Sequence, residues 1–189
     1  MKAGCALAAV ALVIAIVLVM VYVNGMNKVV RLDEAVSESW AQVETMLQRR
    51  NDLIPNLVNT VKGYASHEED LFMEITRLRS QWSGAGTVEE KIEKAQAMDS
   101  ALGRLMVVVE NYPELQASEN FQTLQAQLEG TENRIAVERR RYNQAVRAFN
   151  TYIREVLGSI FAKRKGLTDP QPYFEAEPES HEVPEVKFD

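Results

Sequence analysis

Apolar and polar positions divide the chain into one unbroken apolar run followed by helical periodicity. Residues Ala6 to Val23 read ALAAVALVIAIVLVMVYV, with no charged side chain. A helix needs roughly 20 such residues to cross about 30 Å of hydrocarbon, so the run predicts an N-terminal membrane span. Beyond it, Leu32, Val36, Trp40, Val43, Leu47, Ile54, Leu57, Val61 and Ala65 recur at spacings of three, four or seven. That is one face of an amphipathic helix, predicted to continue from the span to about Trp82. Pro55 lies inside it and removes a backbone hydrogen bond while its ring meets the Asn51 carbonyl, so a helix kink is expected at Pro55. Gly63 is a second soft point.

Gly84 and Gly86 mark a turn, and Thr87 with Glu90 forms a T-x-x-E capping box that opens the next helix. Its stripe is Ile92, Ala95, Met98 with Asp99 beside it, Leu102, Met106 and Val109. The helix is predicted to stop near Asn111, because Pro113 disfavours helical geometry at Tyr112. After a connector from Glu114 to Ser118, a last helix is expected along Phe121, Leu124, Leu128, Thr131, Ile135, Tyr142, Val146, Phe149, Ile153, Val156 and Ile160, with Gly130 and Gly158 as weak points. No alternation of period two is long enough for a strand. The expected fold class is all-α: an N-terminal transmembrane helix followed by an elongated antiparallel bundle of long helices with coiled-coil character. Residues 1–27 form the expected anchor, 28–165 the bundle domain and 166–189 a tail.

The apolar run reads as an uncleaved signal-anchor. A cleaved signal has a shorter apolar stretch of about 7–15 residues and a small-x-small site, whereas Met20, Val21, Tyr22 and Val23 fill the end of this one. Tyr22 suits the interfacial belt, and Lys28 and Arg31 reach headgroups. Cys5 precedes the apolar segment, so Ala3-Gly4-Cys5 is not a lipidation box. As the sole cysteine it says nothing of redox compartment. Basic residues flank both ends nearly equally. The short basic start favours a single-pass protein of the bacterial cell membrane with its C-terminal domain on the extracytoplasmic side.

Net charge is confined to the tail. From Gly166 onward, seven acids against Lys187 alone carry a net −6, the whole of the chain's net charge, and the remaining 20 basic and 20 acidic residues balance. A neutral body without a basic stripe argues against nucleic-acid binding. Pro170, Pro172, Pro178 and Pro184 together with the acids predict an extended or disordered tail. Tyr173-Phe174 and Val186-Lys187-Phe188 are the pieces able to tuck onto the body.

Candidate chemistry is sparse. His67 and His181 are the only histidines, His67-Glu68 lacks the second histidine of a zinc-protease helix, and no phosphate-cradling glycine loop is present. No catalytic residue, metal site, cofactor or small-molecule substrate is expected. Two polar patches interrupt the apolar stripes: Gln48 to Asp52, and Glu129 to Arg134 followed by Glu138 to Arg141. A buried charge is costly unless paired. One reading is therefore an interhelical polar network drawn from Arg49, Arg50, Asp52, Glu132, Asn133, Arg134 and Glu138. The other is an open polar groove near Arg49, Arg50, Glu132 and Glu138, which would make a membrane-tethered ligand-binding protein or enzyme. Asn143, Arg147, Asn150 and Arg154 share a further polar face, read as a helix contact or solvated surface. Lys163-Arg164-Lys165 suits a helix C-terminus or anionic headgroups.

The chain resembles the LemA family of bacterial membrane-anchored proteins. The resemblance rests on LDEAV with Trp40, LQRRNDLIPNLV (Leu47 to Val58), VKGYASHE (Val61 to Glu68), ENYPEL (Glu110 to Leu115), LEGTENRI (Leu128 to Ile135), RRRYNQAVRAFNTYIR (Arg139 to Arg154) and PYFE (Pro172 to Glu175). It implies an N-terminal span, an antiparallel helical bundle and no established enzymatic activity. A magnetosome-membrane protein of magnetotactic bacteria belongs to the same family, which suggests organising membranes or membrane proteins. The expectation is a non-enzymatic scaffold or adaptor whose partners are the lipid bilayer, through residues 6–23, and other proteins or further copies of itself. The family often has Phe-Pro and an apolar, glycine-containing stretch where this chain has Glu155-Val156-Leu157-Gly158-Ser159 and a basic triad.

Overall fold

The computed structural model describes residues 2–65 and 67–175, with side chains from residue 10 onward. The expectations for Cys5 and for Val186-Lys187-Phe188 lie outside these. The described residues form α-helices and no strand: α1 (Lys2–Lys62), α2 (Glu69–Gly84), α3 (Val88–Val109), α4 (Pro113–Gln116), α5 (Glu119–Tyr152) and α6 (Val156–Lys165). The all-α class follows from the period of the stripes.

Helix α1 contains the apolar run, and Pro55 lies inside it without ending it. Among the described residues it is the one helix long and apolar enough to cross a membrane, with a mean hydropathy of 2.2 and none of that window buried. The helix ends at Lys62, well before Trp82. The reason for this correction is local. Gly63 and Tyr64 form a turn closed by Tyr64 N–H and Ala65 N–H on the Val61 carbonyl, both at 2.9 Å, and α2 starts anew at Glu69. The stripe survives the turn in phase, with Ala65, Phe72, Ile75, Leu78 and Trp82 all buried. Periodicity alone therefore does not betray the break. His67 stands exposed in this turn.

The capping box is formed. Thr87 accepts from Glu90 N–H at 3.1 Å, and the Glu90 carboxylate accepts from Thr87 N–H at 3.3 Å and Gly86 N–H at 2.9 Å. These backbone donors hold the Glu90 carboxyl below its ordinary range. Helix α3 closes at Val109, and Pro113 begins the single turn α4.

The last helix is also shorter than its stripe suggests. α5 ends at Tyr152, Glu155 takes an extended conformation, and α6 starts at Val156. The turn brings the Tyr152 carbonyl oxygen against Gly158, where a Cβ would collide with it. Gly158 is thus the residue that permits the turn. Gly166, with φ of 70°, ends α6 in a Schellman pattern: Leu167 N–H donates to the Ala162 carbonyl at 3.0 Å and Gly166 N–H to the Lys163 carbonyl at 3.3 Å.

The chain divides into two compact units, and α1 and α5 contribute to both. In the first, residues up to 41 join residues 141–171. Here α5 runs antiparallel to α1. Tyr142 meets Trp40 edge-to-face at 5.5 Å between ring centroids, while Tyr152 lies near Lys28 and donates its hydroxyl to the Gly25 carbonyl at 3.1 Å. Phe161 of α6 packs edge-on to Tyr22 at 5.9 Å and covers Gly25, which has no room for a side chain. In the second unit, residues 42–140 with the segment from Pro172, the buried core runs through Ile54, Leu57, Val61, Phe72, Ile75, Met98, Leu105 and Phe121. α2 and α3 are antiparallel there, tied by Arg104 to Glu74 at 2.7 Å at one end and by Lys91 over the Trp82 ring at the other.

Candidate functional site

Arg50 sits on the buried stripe of α1, between Leu47 and Ile54, and is 1% exposed. Its spacing from those neighbours is that of a core residue, so the helix delivers a charge where an aliphatic side chain would fit. The surrounding helices answer it. Arg50 pairs with Asp99 of α3, donates to Glu132 of α5 at 3.1 Å, and donates to the Ala95 carbonyl at 3.1 Å. Asp99 is shared, receiving Arg139 of α5 at 2.8 Å on its other oxygen. Two arginines therefore face two carboxylates, which answers the buried charge. The satisfaction is incomplete: Arg50 Nε and Arg139 Nε are buried without a hydrogen-bond partner among the described residues.

The neighbouring α1 residues do not share this role. Arg49 is exposed, and Asp52 is exposed and accepts from Gln48 at 2.8 Å within the same helix. Asn51 is buried, and its carbonyl accepts from Arg79 of α2 at 3.0 Å. On α5, Asn133 and Arg134 are exposed and Glu138 is half-buried. Thr131 is buried in the stripe and returns its hydroxyl to the Gln127 carbonyl at 2.8 Å, a local bond that lets a polar residue occupy a core position. Of the proposed set, Arg50 and Glu132 come together, and they are joined by Asp99 and Arg139, which lie outside it. The signal for Asp99 was its place beside Met98 on the α3 stripe.

Arg139 extends the centre to the start of the tail. Its guanidinium lies 4.8 Å from the ring centre of Phe174, which is buried, and Gln96 donates to the Glu175 carbonyl at 3.0 Å. In the first unit, Asn150 grips the Gln171 backbone from both sides, accepting from its N–H and donating to its C=O, each at 2.9 Å. The tail's first residues are thus extended but seated. Asn150, on a polar face expected as a helix contact or solvated surface, instead holds the extended segment, because a side-chain amide offers both a donor and an acceptor to one residue's backbone.

Beside Asp99 and Glu132 a groove of about 860 Å³ opens between α3 and α5. Its apolar floor includes Leu102, Met106, Phe121 and Leu128; Asp99, Glu110, Glu129 and Glu132 contribute acid, and no Lys or Arg lines it. Arg50, Arg49 and Glu138 are not part of its wall. Among the described residues, no three His, Cys, Asp or Glu side chains converge as a metal site.

These features define an all-helical protein whose first helix carries an apolar run of membrane-spanning length and whose core encloses a paired arginine. The chain belongs to the LemA family, whose model matches residues 39–188. It is similar to the magnetosome proteins MamQ 2 and MamQ 1 of Paramagnetospirillum magneticum, each 27% identical over 178 residues, covering 80% of this chain and 65% of theirs. It is also similar to Protein LemA of Metamycoplasma hominis, 25% identical over 134 residues, covering 70% of this chain and 61% of that one. The chain spans under two thirds of the length of these curated relatives.

Proposed function

We propose that this protein is a non-enzymatic scaffold or adaptor, held in the bacterial cell membrane by a single span and presenting its helical domain to protein partners on the extracytoplasmic side. The observation that carries the reading is the acid-rimmed apolar groove between α3 and α5. A groove of this kind suits the apolar face of a partner helix whose polar edge is basic. The Arg50 centre lends the groove a fixed wall, since Asp99 and Glu132 are held from behind. The names of the magnetosome relatives fit a role at membranes. The ligand-binding or enzymatic alternative draws on the same centre, but Arg50 is enclosed and engaged with protein groups, which leaves it little capacity for a substrate. Proximity labelling in the native membrane, with the labelling enzyme fused at the C-terminus, tests the reading. It should recover a specific set of neighbours or copies of the chain, labelled on the extracytoplasmic side. A monomer with no neighbours above background would end the scaffold reading, and labelling confined to the cytoplasm would end the topology.

A further inference from the structure

Helix α6 is apolar on two sides. Gly158, Phe161 and Ala162 are buried, whereas Val156, Leu157 and Ile160 are exposed at 83%, 56% and 53%. The spacings of three and four between the last of these and the first two place them on one outward face. Outside α6 and the apolar run, the exposed large apolar side chains described are single: Tyr64, Met73, Val107 and Tyr173. Isolated ones need no explanation, but a cluster does.

The path of the chain sets the height of that cluster. Tyr152, before α6, lies against Gly25 and Lys28; Phe161, within it, lies against Tyr22 and Gly25. By Gln171 the chain is back beside Asn150. α6 is the part of residues 141–171 that approaches the apolar run, and Tyr22 stands at that run's edge. Leu157 is about 6 Å along the helix axis from Phe161, and each interfacial layer of a bilayer is roughly 5–7 Å thick. The exposed face therefore lies within about one interfacial layer of the end of the apolar run. Lys163, Arg164 and Lys165 follow on the last turn. There they complement the helix dipole and stand within reach of anionic lipid.

We propose that α6 is a second membrane contact: it lies in the interface, with Val156, Leu157 and Ile160 among the upper acyl chains and the basic triad on anionic headgroups. The proposal rests on the reading of the apolar run as a membrane span. Together the two contacts fix the rotation of α1 about its axis, which a lone span leaves free.

The test uses the full chain carrying Cys5→Ser, reconstituted into phosphatidylglycerol-containing vesicles, with one fluorophore-labelled cysteine at a time. Leu157→Cys and Ile160→Cys report on α6, Val17→Cys on the span and Gln81→Cys on water. Lipids brominated high on the acyl chain should cause loss of emission at Leu157→Cys and Ile160→Cys, and aqueous iodide should not. Iodide quenching equal to that at Gln81→Cys, with Val17→Cys still quenched by lipid, overturns the proposal and leaves the anchor standing. Shielding from both quenchers also overturns it, since protein rather than lipid would then cover the face. A Val17→Cys label untouched by lipid removes the span and the proposal together. Quenching at Ile160→Cys should weaken in pure phosphatidylcholine; equal quenching in both lipids overturns the role given to the triad.

Discussion

Arg50 is the residue on which the second unit turns, because it places a full charge in a core position and obliges two other helices, α3 and α5, to meet it. Removing one member of a buried charged cluster costs about 3–5 kcal/mol, since the partner charges are left desolvated and unpaired. Arg50→Ala should therefore lower the thermal midpoint by on the order of 10 °C. Arg49→Ala, one position away on the exposed face, should stay within about 0.5 kcal/mol of the parent. Equal effects in calorimetry would contradict the placement. Tyr142 offers a second test at this scale. Burial pushes its hydroxyl up to about 12. Above the ordinary tyrosine range the unfolded chain ionises and the folded one does not, so stability falls as pH rises from about 10 towards 12. Alkaline denaturation of Tyr142→Phe should show a smaller loss over that window. The charged members of the centre were partly legible in the sequence. Arg50 and Glu132 stood out as polar residues near apolar stripes. Asp99, beside the α3 stripe, and Arg139, within the second polar patch, were not legible as members, because a stripe reveals which face a residue occupies and not which helix it will meet.

Each long helix pattern hides a break that spacing does not show. The stripe from Val61 through Phe72 to Trp82 keeps helical phase and burial across its turn; that from Phe149 to Ile160 keeps its spacing in the sequence, but beyond the turn Val156 and Ile160 are exposed. The helices end in backbone turns, one closed on the Val61 carbonyl and the other marked by the close approach of Tyr152 to Gly158. Gly158→Ala forces a Cβ into a carbonyl oxygen and should cost about 1–3 kcal/mol, or displace α6. Gly130→Ala, in the middle of α5 with open space around it, should instead stabilise by roughly 0.5–1 kcal/mol. Chemical denaturation of the two variants compares them directly, and a neutral Gly158→Ala would contradict the tight turn. Where capping chemistry is explicit, as at Thr87 and Glu90, sequence and structure agree, because the signal is a hydrogen-bond pattern within one turn.

For the whole molecule, the apolar run and Arg50 lie on one continuous helix, α1. The family assignment matches this architecture, and the groove between α3 and α5 gives the scaffold reading a specific face. That face was invisible in the sequence, which shows acids and leucines at helical spacing but not the gap between two helices. Site-specific photocrosslinking in the native membrane tests the claim most directly. A photoreactive residue at Gln122, on the groove, should give discrete crosslinked species that a partner-like basic amphipathic peptide competes away. The same residue at Gln81, exposed on α2, should give none of them. Identical crosslinks from both positions, or none from Gln122, would contradict the account.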